Sequence, residues 1–165
     1  MNGDQARVSV AVAVPPAEAF EIFTAEIDQW WLRGPRYRNS GMRRGILHLE
    51  PKLGGRIFES IETAGEVHVI EIGRIEHWEP PARLVFSWRN SNFAPLESTQ
   101  VEVEFKPAAR GTTVTVTHRG WSSLRPDHPA RHGLDAREFS RMIGLWWGDL
   151  MSALRERAGL RSRAE

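Results

Sequence analysis

The stretch "REFSRMIGLWWGDLMSALRER", residues 137–157, decides the fold. Its large apolar residues recur at steps of three and four, the spacing that places side chains on one face of an α-helix. They are Phe139, Ile143, Trp146, Trp147, Leu150 and Leu154. The pattern predicts one helix over residues 137–158 that buries Phe139, Ile143, Trp146, Leu150 and Leu154 against the rest of the protein.

Both ends of this helix carry sequence signals. Asp135, with Glu138 three positions later, has the spacing of a capping box, which satisfies backbone N–H groups of the first turn. Gly159 is the residue type that commonly ends a helix. We therefore expect the helix to stop at Gly159 and residues 159–165 to form a loose tail.

The segments before the helix alternate with a period of two, which is typical of β-strands. In "RVSVAVAV", residues 7–14, four valines share one face, and "AEAFEIFTAEIDQWW" then reads as two short helices with a common apolar face. Six strands follow, in "GILHLE", "RIFESIE", "EVHVIEIGRIEHW", "RLVFSWR", "QVEVEF" and "TTVTVTHR". The pattern predicts an α+β fold, in which an antiparallel sheet of six to seven strands is covered on its apolar face by the long helix. In the second of these six strands, either Ile57, Glu59 and Ile61 or Arg56, Phe58 and Ser60 point inward.

Composition excludes several classes of site. Lysine and arginine total 22 against 21 acidic residues, a net charge of +1. A nucleic-acid-binding domain is usually strongly basic, so we expect no nucleic-acid partner. The chain has no cysteine, which excludes disulfides and thiolate chemistry. No apolar run approaches about eighteen residues, and "MNGDQARVSVAVAV" does not resemble a signal peptide. We expect a cytoplasmic protein without a membrane span.

The sequence contains no metal-ligand or nucleophile motif. Its histidines are at positions 48, 68, 77, 118, 128 and 132, and none has a helical ligand spacing. His128 and His132 are four apart, but Pro129 between them disfavours a regular helix turn. There is no Gly-x-Ser-x-Gly elbow, and "KLGGR" lacks the spacing of a phosphate-binding loop. We expect no metal and no cofactor, and no motif marks the chain as an enzyme.

Several pieces, in this order, resemble the START-like helix-grip superfamily, also called SRPBCC. They are "VPPAEAFEIFT", "WW", "LEPKLGGRIFES", "GRIEHWEPPARLVFSW", "VEVEF", "GTTVTVTHRGW" and "GLWWGDLMSAL". The branch that they most resemble is named after the activator of a heat-shock chaperone ATPase. The resemblance covers residues 7–158 and implies one domain over residues 1–158, with a curved sheet wrapped around the last helix. Members of the superfamily include lipid and hormone carriers, polyketide cyclases and chaperone activators.

Such a fold leaves a space between sheet and helix, which we expect to be the functional site. The residues on the apolar faces of the strands and of the long helix predict an aromatic cavity for an apolar or amphipathic small molecule. The candidate lining residues are Trp30, Trp31, Arg56, Phe58, Glu59, Phe86, Trp88, Phe105, Val116, His118, Trp146 and Leu150. Trp30 or Trp31 would lie near the mouth. The loop that follows contains Arg33, Arg36, Tyr37, Arg38, Arg43 and Arg44. It would either be a gate whose basic groups attract an acidic or polar-headed ligand, or be an ordinary surface loop.

Two other functions remain open at this stage. The protein could be a cyclase- or hydrolase-like enzyme in which His118 or Glu59 is the catalytic residue, although a buried histidine is more often a hydrogen-bonded core residue. Alternatively, the protein could contact a chaperone and stimulate its ATPase through the face of the sheet. The sequence fits a monomer and a homodimer equally well.

Overall fold

Strands and helices follow one another in the order that the sequence patterns predict. The computed structural model describes residues 5–41, 44–89, 93, 97–121, 124, 128 and 134–164. Within these residues, one strand is followed by two short helices, six strands and a long helix. The elements are β1 (Gln5–Val12), α1 (Pro16–Ala25), α2 (Ile27–Trp30), β2 (Gly45–Leu49), β3 (Arg56–Thr63), β4 (Glu66–Glu79), β5 (Arg83–Trp88), β6 (Thr99–Ala108), β7 (Gly111–Arg119) and α3 (Ala136–Ala164).

The strands form one curved antiparallel sheet in the order β1-β7-β6-β5-β4-β3-β2. The first strand joins the last: Val8 lies opposite Val116, and Val116 lies opposite Val103 of β6. These valines share the inner face, as their alternation predicts. The register shifts between Ile57 and Phe58 and between Ile75 and His77. Such bulges bend and twist a sheet, which helps it to curl around a helix.

Helix α3 packs against the inner face of the sheet. Phe139, Ile143, Leu150 and Leu154 are buried, as predicted. Trp146 is only half-buried, however, whereas its neighbour Trp147 is fully buried. Trp147 lies four residues after Ile143 and three before Leu150, at the centre of the buried stripe. Trp146 lies at the margin of the stripe, so the prediction that Trp146 is the buried tryptophan was wrong.

The start of α3 confirms the capping box, but the helix does not end at Gly159. Glu138 N–H donates to the Asp135 carboxylate at 2.8 Å, and Asp135 N–H donates to Glu138 at 3.3 Å. At the other end, α3 continues to Ala164. Arg161 Nη1 lies 2.6 Å from Glu26 Oε2, just after α1. This ion pair holds the last turns, so residues 159–164 are helical and not a loose tail.

The inward face of β3 is the one that carries Glu59. Ile57, Glu59 and Ile61 are buried, and Arg56 and Phe58 point to the other side of the sheet. There the Arg56 guanidinium lies 4.6 Å from the centre of the Phe58 ring and pairs with Glu50. Arg56 and Phe58 are therefore on the opposite side of the sheet from the predicted cavity.

None of the helices in the described residues is both long and apolar enough to cross a membrane.

Candidate ligand site between sheet and helix

Aromatic rings occupy the region where α3 faces the sheet. Trp31 follows α2, Trp88 lies on β5, His118 on β7 and Trp147 on α3, and each is at most 4% exposed. Trp31 stacks on Trp88 with ring centres 5.5 Å apart and meets Trp147 edge-on at 5.6 Å. The rings of His118 and Trp147 are 6.0 Å apart. We call these four residues, together with Trp146, the aromatic cluster. Its rings pack against one another in the space that the sequence assigned to a cavity.

A chain of hydrogen bonds fixes the protonation of His118. Trp147 Nε1–H donates to His118 Nδ1 at 3.0 Å, and His118 Nε2 lies 2.7 Å from Thr99 Oγ1. The Thr99 hydroxyl donates its one hydrogen to the Trp88 carbonyl at 3.1 Å. It can therefore only accept from His118, which places the imidazole proton on Nε2. Both ring nitrogens are used within the protein.

Burial also keeps His118 uncharged. The imidazole is removed from water, and this desolvation lowers its pKa to about 3. At neutral pH the ring is therefore neutral, with both nitrogens occupied. These contacts favour the interpretation of His118 as a hydrogen-bonded core residue over that of a proton shuttle.

Glu59 is the second buried polar group on the inner face. Its carboxylate accepts the backbone N–H groups of Asn39 and Ser40 at 2.8 and 3.0 Å. Arg56 and Arg74, which lie on β3 and β4, do not bond Glu59 and pair with Glu50 and Glu71. Glu59 thus fixes the loop that connects α2 to β2.

The same loop is fixed a second time by a buried arginine. Arg38 donates to the Asp28 carboxylate at 2.6 Å and to the Asp28, Trp31 and Leu32 carbonyls at 2.9, 2.6 and 3.2 Å. Arg33 also pairs with Asp28, at 3.1 Å. Arg33 and Arg38 are therefore committed to Asp28 and nearby carbonyls and are not available to attract an acidic ligand. Arg43 lies outside the described residues.

Asp28 is charged across the neutral range. Partial burial alone would raise the pKa of its carboxyl group, but hydrogen bonds from Leu47 N–H and from Arg38 outweigh this and lower the pKa. The Leu47 N–H belongs to the edge strand β2, and Arg33 donates to the Gly45 carbonyl of the same strand at 3.1 Å. Asp28 and Arg33 thus occupy backbone groups at the edge of β2.

Trp146 forms the outer end of the aromatic cluster. Its ring centre lies 5.9 Å from those of Trp31 and Trp88, both edge-on. On its other side it stacks on Tyr37, and its indole N–H donates to the Arg36 carbonyl at 2.8 Å. Tyr37 in turn donates to Asp149 of α3 at 2.8 Å. Trp146 and Tyr37 therefore separate Trp31 and Trp88 from solvent.

The structure brings together four of the predicted site residues and places the others elsewhere. Trp31, Trp88, His118 and Trp146 belong to the aromatic cluster. Trp30 donates to the Phe23 carbonyl at 3.2 Å, which fixes it beneath α1. The remaining inward candidates are buried core residues, namely Phe86, Phe105, Val116 and Leu150.

Sequence reasoning missed Trp147 and Thr99, and also Trp121, whose ring centre lies 4.8 Å from that of His118. Trp147 could have been placed from its spacing to Ile143, Leu150 and Leu154, which puts it at the centre of the stripe. Thr99 could not, because a threonine at a strand start carries no sign that it bonds a histidine on the neighbouring strand. Within the part of the chain that the structure describes, no three His, Asp or Glu side chains are grouped so that they could hold a metal ion.

A separate polar cleft of about 350 Å³ lies on the outer side of the sheet. Its lining residues are Glu71, Gly73, Arg74, Ser87, Arg89, Glu97 and Ser98. Arg74 pairs there with Glu71 at 2.6 Å, and Glu97 lies 3.2 Å from Nε2 of the buried His128. Arg89 donates to the Phe93 carbonyl at 3.0 Å.

A curled antiparallel sheet around a long last helix defines the START-like helix-grip superfamily, SRPBCC. A Staphylococcus aureus protein of unknown function has this fold, with a TM-score of 0.68 and 15% identity over 96% of this chain and 95% of that chain. A Nitrosomonas europaea protein has a TM-score of 0.64 and 15% identity over 96% of both chains. At this identity the likeness shows the fold alone.

The family model described as Activator of Hsp90 ATPase homolog 1-like protein matches residues 13–138. The chain belongs to this family. It is also similar to an anthrahydroquino-γ-pyrone synthase, with 29% identity and a TM-score of 0.51 over 87% of this chain and 90% of that chain. Among curated proteins, none matches the sequence of this chain.

Proposed function

We propose that the protein binds a planar, amphipathic small molecule at the aromatic cluster, between the sheet and α3. The observation that carries this proposal is the continuity of the cluster from buried His118 and Trp147 to half-exposed Trp146. A flat ligand that enters beside Trp146 meets Trp31 and Trp88, whose rings offer the offset and edge-on contacts that aromatic groups prefer.

The rim of the cluster favours a ligand with a polar end. Arg36 and Asp149 lie next to Trp146 and are at least half exposed, with 3.8 Å between Arg36 Nη2 and Asp149 Oδ2. The inner end is apolar apart from His118, whose nitrogens are already bonded. The ligand therefore places its rings inside and its polar group at the rim.

The similarity to the pyrone synthase supports this class of ligand. By its name, that protein forms an anthrahydroquinone joined to a pyrone, which is a flat polycyclic molecule. An enzymatic role for this chain through His118 or Glu59 is less well supported, because both His118 nitrogens and both Glu59 oxygens already take part in hydrogen bonds within the protein.

A titration followed by NMR tests the proposal. The seven tryptophans of ¹⁵N-labelled protein each give an indole N–H signal, and 1,8-dihydroxyanthraquinone serves as the flat probe. We expect one equivalent to shift the signals of Trp31, Trp88, Trp146 and Trp147. Trp78 is an internal control, because it packs on Phe20 with ring centres 5.0 Å apart, outside the cluster. Binding that leaves the cluster signals unchanged, or no binding at all, would contradict the proposal.

The family description and an exposed apolar face favour a second candidate function, contact with a chaperone. Ile46, Val67 and Val69 are 52%, 66% and 51% exposed, and Ile46, Ser60 and Val69 lie in one row across β2, β3 and β4. Because Asp28 and Arg33 occupy the edge of β2, a partner would contact this face and not extend the sheet.

Val67→Asp together with Val69→Asp should then abolish stimulation of an Hsp90 ATPase. Leu160→Asp, at an exposed site on α3, is the control. Absence of stimulation by the unmodified protein would exclude this function.

A further inference from the structure

We propose that Trp146 is a gate over the aromatic cluster, held shut by residues 33–37, and that a ligand binds only after this loop releases it. We call residues 33–37 the tip loop. The inference rests on the proposed function and concerns how its site is reached. It follows from the difference between the contacts at the base of the loop and those at its tip.

The base of the loop is held by buried, charge-assisted hydrogen bonds. Arg38 bonds the Trp31 and Leu32 carbonyls before the tip loop, and its side chain is 2% exposed. Glu59, with no exposed surface, holds the Asn39 and Ser40 N–H groups after it. Breaking such bonds leaves a buried charge without a partner, so the base is expected to stay in place.

The tip loop contacts α3 only weakly by comparison. Tyr37 donates to Asp149, whose side chain is 50% exposed, and the Arg36–Asp149 pair is 3.8 Å long. The third contact is the bond from Trp146 Nε1–H to the Arg36 carbonyl. Water can replace the partners in all three, so each contributes little free energy. Gly34, at φ +102°, provides the turn from which the tip loop projects.

Opening therefore needs the loss of these exposed contacts, of the Tyr37–Trp146 stacking and of the bond from Trp31 Nε1–H to the Tyr37 carbonyl. Arg33, at the start of the tip loop, can stay bonded to Asp28 and Gly45. Once the Arg36 carbonyl moves away, the Trp146 indole can rotate into solvent, and Trp31 and Trp88 lose their cover. The closed form has the aromatic rings in mutual contact and leaves no room for a ligand between Trp31 and Trp88. The apparent rate of binding is then limited by the fraction of molecules that are open.

Two conservative variants weaken the gate and keep every ring of the cluster, as well as the Tyr37 ring that stacks on Trp146. Tyr37→Phe removes one hydroxyl group, and Asp149→Asn removes the charge that binds both Tyr37 and Arg36. Glu156→Gln is the matched control, because it makes the same charge change at an exposed position of α3. Losing one such hydrogen bond should raise the open fraction about three- to tenfold.

The first measurement needs no ligand. Hydrogen exchange of the indole N–H groups is followed by NMR in each variant. We expect the Trp146 and Trp31 signals, which report bonds to the Arg36 and Tyr37 carbonyls, to exchange about three- to tenfold faster in Tyr37→Phe and Asp149→Asn. The Trp30 signal, which reports a bond to Phe23 outside the gate, should be unchanged. Unchanged exchange at Trp146 and Trp31 would overturn the gate.

The second measurement separates the gate from the proposed function. Stopped-flow mixing with 1,8-dihydroxyanthraquinone gives the association rate constant, which we expect to rise by the same factor in the two variants and not in Glu156→Gln. Faster exchange without binding to any variant would keep the gate and reject the ligand proposal. Binding with equal rates in all variants would keep the ligand proposal and reject the gate.

Discussion

Strand β7 and the β3–β4 hairpin belong to the same sheet but are buried very differently. Residues 114–118 of β7 are buried on both faces, whereas residues 66–69 at the start of β4 are exposed on both. α3 covers the inner face of β7 through Trp147, and polar contacts such as Ser9–Thr115 cover the outer face. Nothing comparable covers residues 66–69 among the described residues, although Ile57, Glu59 and Ile61 further along the hairpin are buried. Stability should therefore be concentrated around β7 and not at the tip of the hairpin.

The largest effect that we expect is at the helix residue that faces β7. Trp147→Ala should lower the free energy of unfolding by about 3–5 kcal/mol, the usual range for removing a buried tryptophan. Trp146→Ala should cost clearly less, because that side chain is half-exposed. Urea denaturation of both variants gives the comparison. Equal losses would show that the two tryptophans contribute alike to the core.

A smaller loss is expected from the hydrogen-bond chain beneath β7. Thr99→Val keeps the shape of the side chain but leaves the buried His118 Nε2–H without its partner. The expected cost is about 1–3 kcal/mol of unfolding free energy. Thr113→Val, on the outward face of β7, is the control. If the two variants are equally stable in urea, the chain contributes no stability.

The neutral His118 should also make stability depend on pH. Its folded pKa, about 3, lies below its unfolded value of 6.5, so the unfolded state binds the proton more readily. Its stabilising contribution is complete above pH 6.5 and is lost as the pH falls towards 3. The slope is at most about 1.4 kcal/mol per pH unit. His118→Gln cannot take up this proton, so its unfolding free energy between pH 6.5 and 5 should change less than that of the unmodified protein. Parallel pH profiles would contradict a buried neutral histidine.

The smallest effect belongs to the hairpin. Val67→Thr should change the unfolding free energy by no more than about 0.5 kcal/mol, because the side chain is 66% exposed. The measurement is the same urea titration. A loss comparable to that of Thr99→Val would mean that the hairpin is packed, and it would remove the contrast with β7.

Much of the fold could be predicted because periodicity reports burial directly. The valines of β1 and β7 and the stripe of α3 each bury one face, and the order of elements followed from them. The inward face of β3 could not be predicted in this way, since isoleucines on one face and Phe58 on the other are both apolar. Its orientation depends on contacts between Glu59 and amides about twenty residues earlier in the chain.

The site was harder to predict than the fold for a related reason. Arg38 looks in the sequence like one more exposed basic residue, and only the carbonyls that surround it explain its burial. His118 was correctly placed on the inner face, but the bonds that fix its neutral form come from three other elements. Such contacts depend on tertiary structure, and no local pattern of residue types reports them.

The pairing of β1 with β7 has a consequence for how the chain folds during synthesis. Ser9 and Thr115 face each other across these strands but are 106 residues apart in sequence. At about 5–20 residues per second, β1 leaves the ribosome roughly 5–20 seconds before its partner strand is made. Throughout this interval the valine-rich strand has no neighbour in the sheet, and such unpaired strands are prone to aggregate. The nascent chain is therefore expected to depend on a binding factor, such as a chaperone, until β7 has been synthesised.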